Sequence, residues 1–132
     1  MIFVDSSFWA ALLAGRDARH DEATRLLRAV GAQQLVTSSA VRGEIWTFVR
    51  RRYGHRAAVA LLDRLETSPR LTVEFVTESM EADALRWLRR HDERKYSFVD
   101  ATSFAVMRAL RLREALAFDG DFSAAGFVEL RA

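Results

Sequence analysis

Short apolar runs alternate with longer helix-forming segments along the whole of this chain. Five runs have the length and composition of buried strands, and we predict strands at residues 1–5, 34–37, 71–76, 115–118 and 127–130. Strands that are separated by helices pair in parallel, because each crossover returns the chain to the same end of the sheet. The sequence therefore predicts an α/β protein whose mostly parallel, roughly five-stranded sheet is covered by helices on both faces.

Six segments between these runs are predicted to be helical. The first follows the opening strand, with Ser6 or Ser7 as its N-cap, and a later one ends at Gly54. The last is apolar almost all round, which predicts deep burial. After the first helix, the other five are expected at about residues 19–30, 39–53, 55–66, 78–91 and 97–110. No linker or repeat interrupts them, so we expect one domain over residues 1–132.

Composition excludes several classes of protein. Half of the 132 residues are hydrophobic, which is enough for a real core, and the absence of cysteine excludes disulfides and thiolate zinc sites. The three histidines lie far apart and show no metal-ligand spacing. The apolar first fifteen residues lack a basic leader and contain Asp5, and no stretch is long enough to span a membrane. We therefore expect a soluble, cytoplasmic protein.

Basic residues are nearly all arginine, with Lys95 as the single lysine, although the formal net charge is only +2. The planar guanidinium suits phosphate, so a nucleic-acid partner is one interpretation. An arginine-rich solvated surface without such a partner is the other, and charge alone leaves both open.

Two aspartates follow predicted strands. Asp5 ends the run MIFVD, and Asp119 follows the run ALAF. In open parallel sheets, ligands bind beyond the carboxyl ends of the strands, so both side chains are candidates for a site. Each also has a local explanation, since Asp5 could cap the first helix and Asp119 could form a turn with Gly120.

Glu44 lies in the predicted helix 39–53, whose apolar face would contain Val41, Ile45 and Phe48. Helical spacing places Glu44 within that face, so we expect its carboxylate to be buried. A buried carboxylate needs a cation, a metal or a hydrogen-bond network. An ion pair with Arg42 or Arg50 is the alternative, although neither shares its face well.

Asp100 and Asp121 complete the set of candidate acids. Asp100 falls in the first turn of the apolar helix and has capping-box spacing from Ser97, so a cap and a functional role are both open. Asp121 ends the segment FDGD and is either an accessory metal ligand or the cap of a short turn before Gly126.

Several carboxylates at one sheet edge would repel one another unless divalent cations neutralised them. Oxygen ligands without thiolate or imidazole favour Mg²⁺, with Mn²⁺ as an alternative. Such ions can polarise a phosphodiester and activate water. No nucleophile–histidine arrangement and no glycine-rich phosphate loop competes with this interpretation.

At these residues the chain resembles the PIN-domain ribonucleases, and among them the VapC-type toxins of toxin–antitoxin pairs. The resemblance covers essentially the whole chain and rests on IFVDSSFW, SSAVRGEIW, YSFVDATSFAVM and LAFDGDFSAAGF, in that order. It implies a three-layer α/β/α sandwich and a magnesium-dependent endoribonuclease toxin of a type II system, acting on structured RNA of the transfer or ribosomal class.

The same resemblance assigns residues and partners. It implies that Asp5, Glu44, Asp100 and Asp119 are catalytic metal-site acids and that Asp121 is an accessory metal ligand. It also implies a homodimer or a toxin–antitoxin hetero-oligomer, inhibited by a cognate antitoxin. One departure is Ala117, where the family often has a hydroxyl residue, so a hydrogen bond that tunes rate or metal affinity is expected to be missing.

Two further surfaces are candidates for binding. Basic clusters lie at residues 50–52 and between residues 86 and 95, and we expect RNA contacts from at least one of them, with Arg50, Arg51, Arg89 and Arg90 as the candidates. The first helix carries Phe8, Trp9, Leu12 and Leu13 around most of its circumference. A partner helix, packing on the second helix, or a homodimer contact would each cover this surface.

Other functions remain as alternatives. A PIN-like fold could hold RNA or protein without cutting it, or could be a housekeeping nuclease without an antitoxin. A phosphoryl-accepting receiver domain is disfavoured, because Asp5 has no acidic neighbour and Lys95 precedes the Asp100 helix.

Overall fold

A computed structural model describes all 132 residues and contains five strands and seven helices. All five predicted strands and all six predicted helices are present. The seventh helix lies where a turn was expected. In chain order the elements are β1 (Ile2–Val4), α1 (Ser6–Leu13), α2 (His20–Ala29), β2 (Leu35–Ser38), α3 (Ser39–Tyr53), α4 (His55–Thr67), β3 (Leu71–Glu74), α5 (Glu78–Arg90), α6 (Phe98–Ala109), β4 (Glu114–Leu116), α7 (Asp121–Ala124) and β5 (Val128–Glu129).

The sheet is entirely parallel and has the strand order β3-β2-β1-β4-β5. The chain therefore builds outward from β1 through β2 to β3, then returns to the other side of β1 with β4. The strand order reverses between β1 and β4, which is where parallel sheets of this kind bind ligands.

Helices cover both faces of the sheet, which confirms the three-layer α/β/α sandwich. Alternate strand residues face opposite layers. Ile2 and Val4 pack in one apolar cluster with α1 and α2, whereas Phe3 packs in another with Phe104 of α6 and Phe122 of α7. Asp5 continues the alternation of Phe3 and thus follows β1 toward the α6 side.

Helix α6 is the most deeply buried helix, as its composition predicted. Every residue from Asp100 to Met107 is buried. Its small residues Ala101 and Ala105 pack closely against Ala84 of α5. No helix of the molecule combines the length and apolar character that crossing a bilayer would require.

Several predicted boundaries differ from the structure: the strand predicted at 71–76 ends at Glu74, for example, and two other differences bear on the site. The N-cap of α1 is Asp5, which confirms the local explanation of that residue over Ser6 or Ser7, because its side chain accepts a hydrogen bond from the Ser7 amide. Strand β4 ends at Leu116 and not at residue 118. The next two residues leave the ladder because the Phe118 amide donates to Ser7 Oγ and the Ala117 carbonyl accepts from Arg131. Asp119 therefore lies on a loop beyond the strand end.

Candidate active site

Four aspartates converge at the carboxyl edge of the sheet, beside the point where the strand order reverses. Asp100, Asp119 and Asp121 can each offer one oxygen such that the three atoms lie within 4.8 Å of one another. Asp5 follows the neighbouring strand. Its negative charge raises the pKa of Asp119, and the charge of Asp100 raises the pKa of Asp5. We refer to Asp5, Asp100, Asp119 and Asp121 as the acid cluster.

Asp5 is almost completely buried, with 1% of its surface exposed. Its Oδ2 accepts hydrogen bonds from the Ser7 amide at 3.2 Å and from Ser7 Oγ at 2.7 Å. Ser7 Oγ in turn accepts from the Phe118 amide at 3.0 Å, so one hydroxyl ties Asp5 to the loop after β4. The other oxygen, Oδ1, is buried and has no hydrogen-bond partner.

Asp100 is fixed by the start of α6. A reciprocal capping box joins it to Ser97: the Asp100 amide donates to Ser97 Oγ at 3.0 Å, and the Ser97 amide donates to Asp100 Oδ2 at 2.9 Å. The capping interpretation of Asp100 is therefore confirmed. The cap occupies one carboxylate oxygen and leaves the other on the side of the cluster, so a functional role for Asp100 stays a prediction.

Asp119 and Asp121 flank Gly120 in one tight loop that leads into α7, whose first residue is Asp121. Gly120 between them has a φ of 81°, a left-handed conformation that glycine adopts without steric cost. The Asp121 amide donates to Asp119 Oδ1 at 3.1 Å. Asp121 Oδ1 accepts from Arg94 Nε at 2.9 Å, and Arg94 Nη2 also donates to the Asp119 carbonyl at 3.2 Å.

Burial and mutual repulsion raise the pKa values of Asp5, Asp100 and Asp119. Burial raises the pKa of Asp5 to about 6, against the opposing effect of the Ser7 hydrogen bonds. Burial, together with the charges of Asp119 and Asp121, raises the pKa of Asp100 to about 6. For Asp119, burial and then the charge of Asp5 raise the pKa to about 7. Each carboxylate in its charged form is thus costly in the absence of a cation.

These properties fit a hard divalent cation. All the available ligands are carboxylate oxygens, which Mg²⁺ and Mn²⁺ prefer, and the buried Asp5 Oδ1 has no other partner. The cation that touches the cluster within the chain is Arg94, which binds Asp121 at its outer side. The negative charges of Asp5, Asp100 and Asp119 are left without a counter-ion.

Glu44 does not occupy the buried position that its spacing predicted. Its side chain is exposed, because the buried stripe of α3 consists of Val41, Ile45 and Val49. Ile45 and Val49 pack against α4, and Val41 packs with Phe3 and Phe104. Ser6 Oγ donates a hydrogen bond to Glu44 Oε1. Since Ser6 directly follows Asp5, Glu44 lies at the margin of the acid cluster and not within it.

Of the four candidate RNA-binding arginines, Arg51 lines a groove that begins near Glu44, together with Arg52 of the same basic cluster. The groove has a volume of about 830 Å³ and runs along the exposed face of α3 to Arg51 and Arg52, with Val99 of α6 on its other side. Arg50 is exposed but does not line it. Arg89 and Arg90 lie exposed in the last turn of α5, where positive charge also complements the helix dipole.

The apolar surface of α1 is largely covered within the chain. Phe8 is buried, and Leu12 packs on the cluster that includes Ala23 and Leu26 of α2, which favours the packing alternative. A smaller groove of about 150 Å³ remains between α1, α2 and α4, lined mainly by Trp9, Leu12, Leu13, Leu27, Leu61, Leu65 and Leu71.

Two contributors to the site were missed at the level of sequence. Ser7 was considered only as a cap, although its hydroxyl joins Asp5 to the β4 loop. Glu129 of β5 was not singled out, although it binds the loop that carries Asp119 and Asp121. Both contacts join residues that are far apart in the chain or in different elements, so no local spacing indicates them.

The family profile described as "PIN domain" matches residues 2–128. The chain is 61% identical over 132 residues to "23S rRNA-specific endonuclease VapC20" of Mycobacterium tuberculosis, a match that covers 99% of this chain and 98% of that protein.

Solved structures agree with this similarity. The crystal structure of M. tuberculosis VapC20, described as a sarcin–ricin loop cleaving toxin, superposes with a TM-score of 0.92 at 57% identity and covers 100% of both chains. FitAcB from Neisseria gonorrhoeae gives a TM-score of 0.71 at 17% identity, covering 98% of this chain and 96% of that one. The latter likeness concerns the fold alone.

Proposed function

This chain is a nuclease of the PIN domain family, and on that premise we propose that it cleaves ribosomal RNA with a divalent cation held by its acid cluster. The observation that carries the proposal is the convergence of Asp100, Asp119 and Asp121 oxygens within 4.8 Å, beside the unpartnered Oδ1 of Asp5. A binding module that does not cut RNA would have no use for such costly charges.

The residues of the chain prepare the site before substrate arrives. Ser7 and the Ser97 capping box each hold one oxygen of a carboxylate, which leaves the second oxygen of Asp5 and of Asp100 for the cation. Because these holders belong to helix starts, the ligands need little reorganisation on binding. Bound Mg²⁺ would polarise the scissile phosphate and lower the pKa of the attacking water.

We propose that Glu44 takes part from the substrate side. The hydrogen bond from Ser6 holds its carboxylate next to the acid cluster, at the entrance of the α3 groove. From this position it can act on a water molecule or on a cation near the scissile phosphate without being a buried ligand.

RNA is proposed to bind along the α3 groove. Glu44 and Arg51 are seven residues apart on one helix face, which corresponds to about 10 Å along the axis. An RNA strand whose scissile phosphate lies at the acid cluster would thus place a neighbouring phosphate near Arg51 and Arg52. Neither guanidinium forms an ion pair, and the contact of Arg52 with the Phe48 ring leaves its N–H donors available to phosphate, whereas Arg94 is already bound to Asp121.

The substrate proposal follows the 61% identity to a 23S rRNA-specific endonuclease. Ribosomal RNA therefore takes precedence over transfer RNA, and a hairpin loop of the sarcin–ricin kind is the proposed site of cleavage. Such a substrate places the enzyme in the cytoplasm.

Cleavage of purified bacterial ribosomes tests this proposal. In Mg²⁺ we expect one new 23S rRNA end, mapped by primer extension, and no cleavage in EDTA. Asp119→Asn should abolish it, because an amide cannot replace the anionic ligand. Asp17→Asn, an exposed aspartate on the turn after α1, is the matched control and should cleave normally. Equal activity of wild type and Asp119→Asn would reject the proposed site.

We further propose that residues 1–132 act as one domain and that its protein partner is an antitoxin. An amphipathic helix of the antitoxin would bind in the groove between α1, α2 and α4. Co-expression of the toxin with the product of a short adjacent reading frame tests this. Leu27→Glu should remain active on RNA but escape inhibition, and inhibition equal to that of wild type would exclude this groove. Light scattering of the free chain tests the proposed homodimer.

A further inference from the structure

Glu129 is a buried carboxylate that the proposed chemistry does not use. It lies on the edge strand β5, and only 2% of its side chain is exposed. Burying a charged group in this way is costly unless every oxygen is well bonded. The identity of its partners therefore indicates what the charge is for.

Each oxygen of Glu129 binds the backbone of the loop that carries Asp119 and Asp121. Oε1 accepts from the Gly120 amide at 3.3 Å, and Oε2 accepts from the Ser123 amide at 3.1 Å. These two amides lie on either side of Asp121. One carboxylate thus holds the backbone on both sides of Asp121, starting from the residue that directly follows Asp119.

Arg131 holds Glu129 and the approach to the same loop. Its Nη2 donates to Glu129 Oε1 at 2.7 Å, and its Nη1 donates to the Ala117 carbonyl at 2.8 Å. The guanidinium therefore joins the loop's starting segment to the carboxylate that grips its middle. Charge-assisted bonds of this kind are short and directional, so they restrict the loop more than neutral contacts would.

We propose that Glu129, supported by Arg131, is a positioning residue that holds Asp119 and Asp121 in the geometry needed for divalent-cation binding. The inference rests on the proposed function, because it assumes that the acid cluster binds a cation. Groups that orient metal ligands from outside affect metal affinity by roughly 10- to 100-fold.

The test measures Mn²⁺ binding to the full-length protein by electron paramagnetic resonance of the free ion, without RNA. Glu129→Asp keeps the charge but shortens the side chain, and Glu129→Gln keeps the length but loses the charge. We expect both to weaken Mn²⁺ binding by about 10-fold or more. Arg131→Met leaves the two hydrogen bonds of Glu129 to the Gly120 and Ser123 amides in place, so it should weaken Mn²⁺ binding by less.

A matched control is the ion pair of Asp83 with Arg108, which joins α5 to α6 away from the cluster. Asp83→Asn should leave the Mn²⁺ affinity unchanged, even if it lowers the melting temperature. If Glu129→Asp binds Mn²⁺ like wild type, charge and not positioning explains the residue, and the proposal is overturned. If the wild type itself binds no Mn²⁺, the proposed metal site fails first.

Discussion

Replacement of Asp5 by asparagine should stabilise the metal-free protein at neutral pH while it destroys the proposed metal site. The asparagine side chain would retain an oxygen to accept from the Ser7 amide and hydroxyl, as Asp5 does at 3.2 and 2.7 Å. The substitution removes a negative charge from a side chain of which only 1% is exposed. The residue is thus expected to oppose folding and serve the site.

The magnitude follows from the raised pKa. Burial lifts the pKa of Asp5 from 3.8 to about 6, so the folded protein holds a proton more tightly than the unfolded chain. The cost of ionisation is then about 3 kcal/mol at pH 7.5 and about 1 kcal/mol at pH 4.5. Any cost of burying the asparagine amide is the same at both pH values and cancels in the comparison.

The benefit of Asp5→Asn should therefore shrink by about 2 kcal/mol between pH 7.5 and pH 4.5, which corresponds to roughly 7 °C in melting temperature for a domain of this size. Urea unfolding in EDTA at the two pH values measures it. Asp17→Asn is the control, because its carboxylate is exposed and its one hydrogen bond, from the Arg19 amide, can also be accepted by an asparagine oxygen. A change in stability for Asp5→Asn that is identical at both pH values would show that ionisation of Asp5 does not oppose folding.

Further predictions concern the acid cluster and its surroundings. In EDTA, the contribution of Asp5, Asp100 and Asp119 to the free energy of unfolding should fall as pH rises from about 4 to about 7, because their pKa values of about 6 to 7 in the folded protein lie above the ordinary aspartate value of 3.8. Melting temperatures measured against pH check this. A rise in stability over that range would contradict it. Cation binding needs ionised ligands, so Mn²⁺ affinity should increase over the same range. Glu44→Gln should reduce RNA cleavage at least 10-fold yet retain most Mn²⁺-induced stabilisation, whereas an equal loss of both would make Glu44 a direct ligand. Alanine at both Arg51 and Arg52 should weaken the binding of uncleaved RNA and reduce the slope of log affinity against log salt concentration by about two. Alanine at both Arg89 and Arg90 should have a smaller effect. The reverse ranking would indicate that RNA binds along α5.

Most of the fold could be predicted because it depends on short-range patterns. The alternation of apolar runs and helical segments predicted the parallel sheet, and the continuous apolar surface of the Asp100 helix predicted its burial. The prediction of Asp5 and Asp119 at one edge then followed from the geometry of parallel strands. These inferences need only the period of the side chains and the direction of the crossovers.

The burial of Glu44 was predicted wrongly, because side-chain periodicity alone does not decide which face of α3 is buried. Val41 and Ile45 are shared by two possible stripes, one continuing to Phe48 and the other to Val49. Helix α4 selects the second, because Val49 packs with Ala58 and Leu61. Glu44 is left exposed by that choice. Only the partner helix decides between stripes that differ by about a third of a turn.

The supporting residues could not be predicted for a related reason. Ser7 accepts a hydrogen bond from the Phe118 amide, 111 positions away in the chain. Glu129 of β5 accepts one from the Gly120 amide, which precedes α7. Neither pair has a local spacing that distinguishes it from ordinary polar residues. The role of Ala117 stays a prediction, although its side chain is fully buried in the apolar cluster with Phe3 and Phe104.

The proposed function depends on the binding of a catalytic divalent cation by the acid cluster. Crystals of the wild-type protein soaked in Mn²⁺ at pH 7.5 test it directly by anomalous diffraction. We expect an anomalous peak within ligand distance of an oxygen of Asp100 and of Asp119, with Asp5 Oδ1 facing the same ion. No peak at the cluster, or a peak only at sites away from these three aspartates, would exclude this metal site.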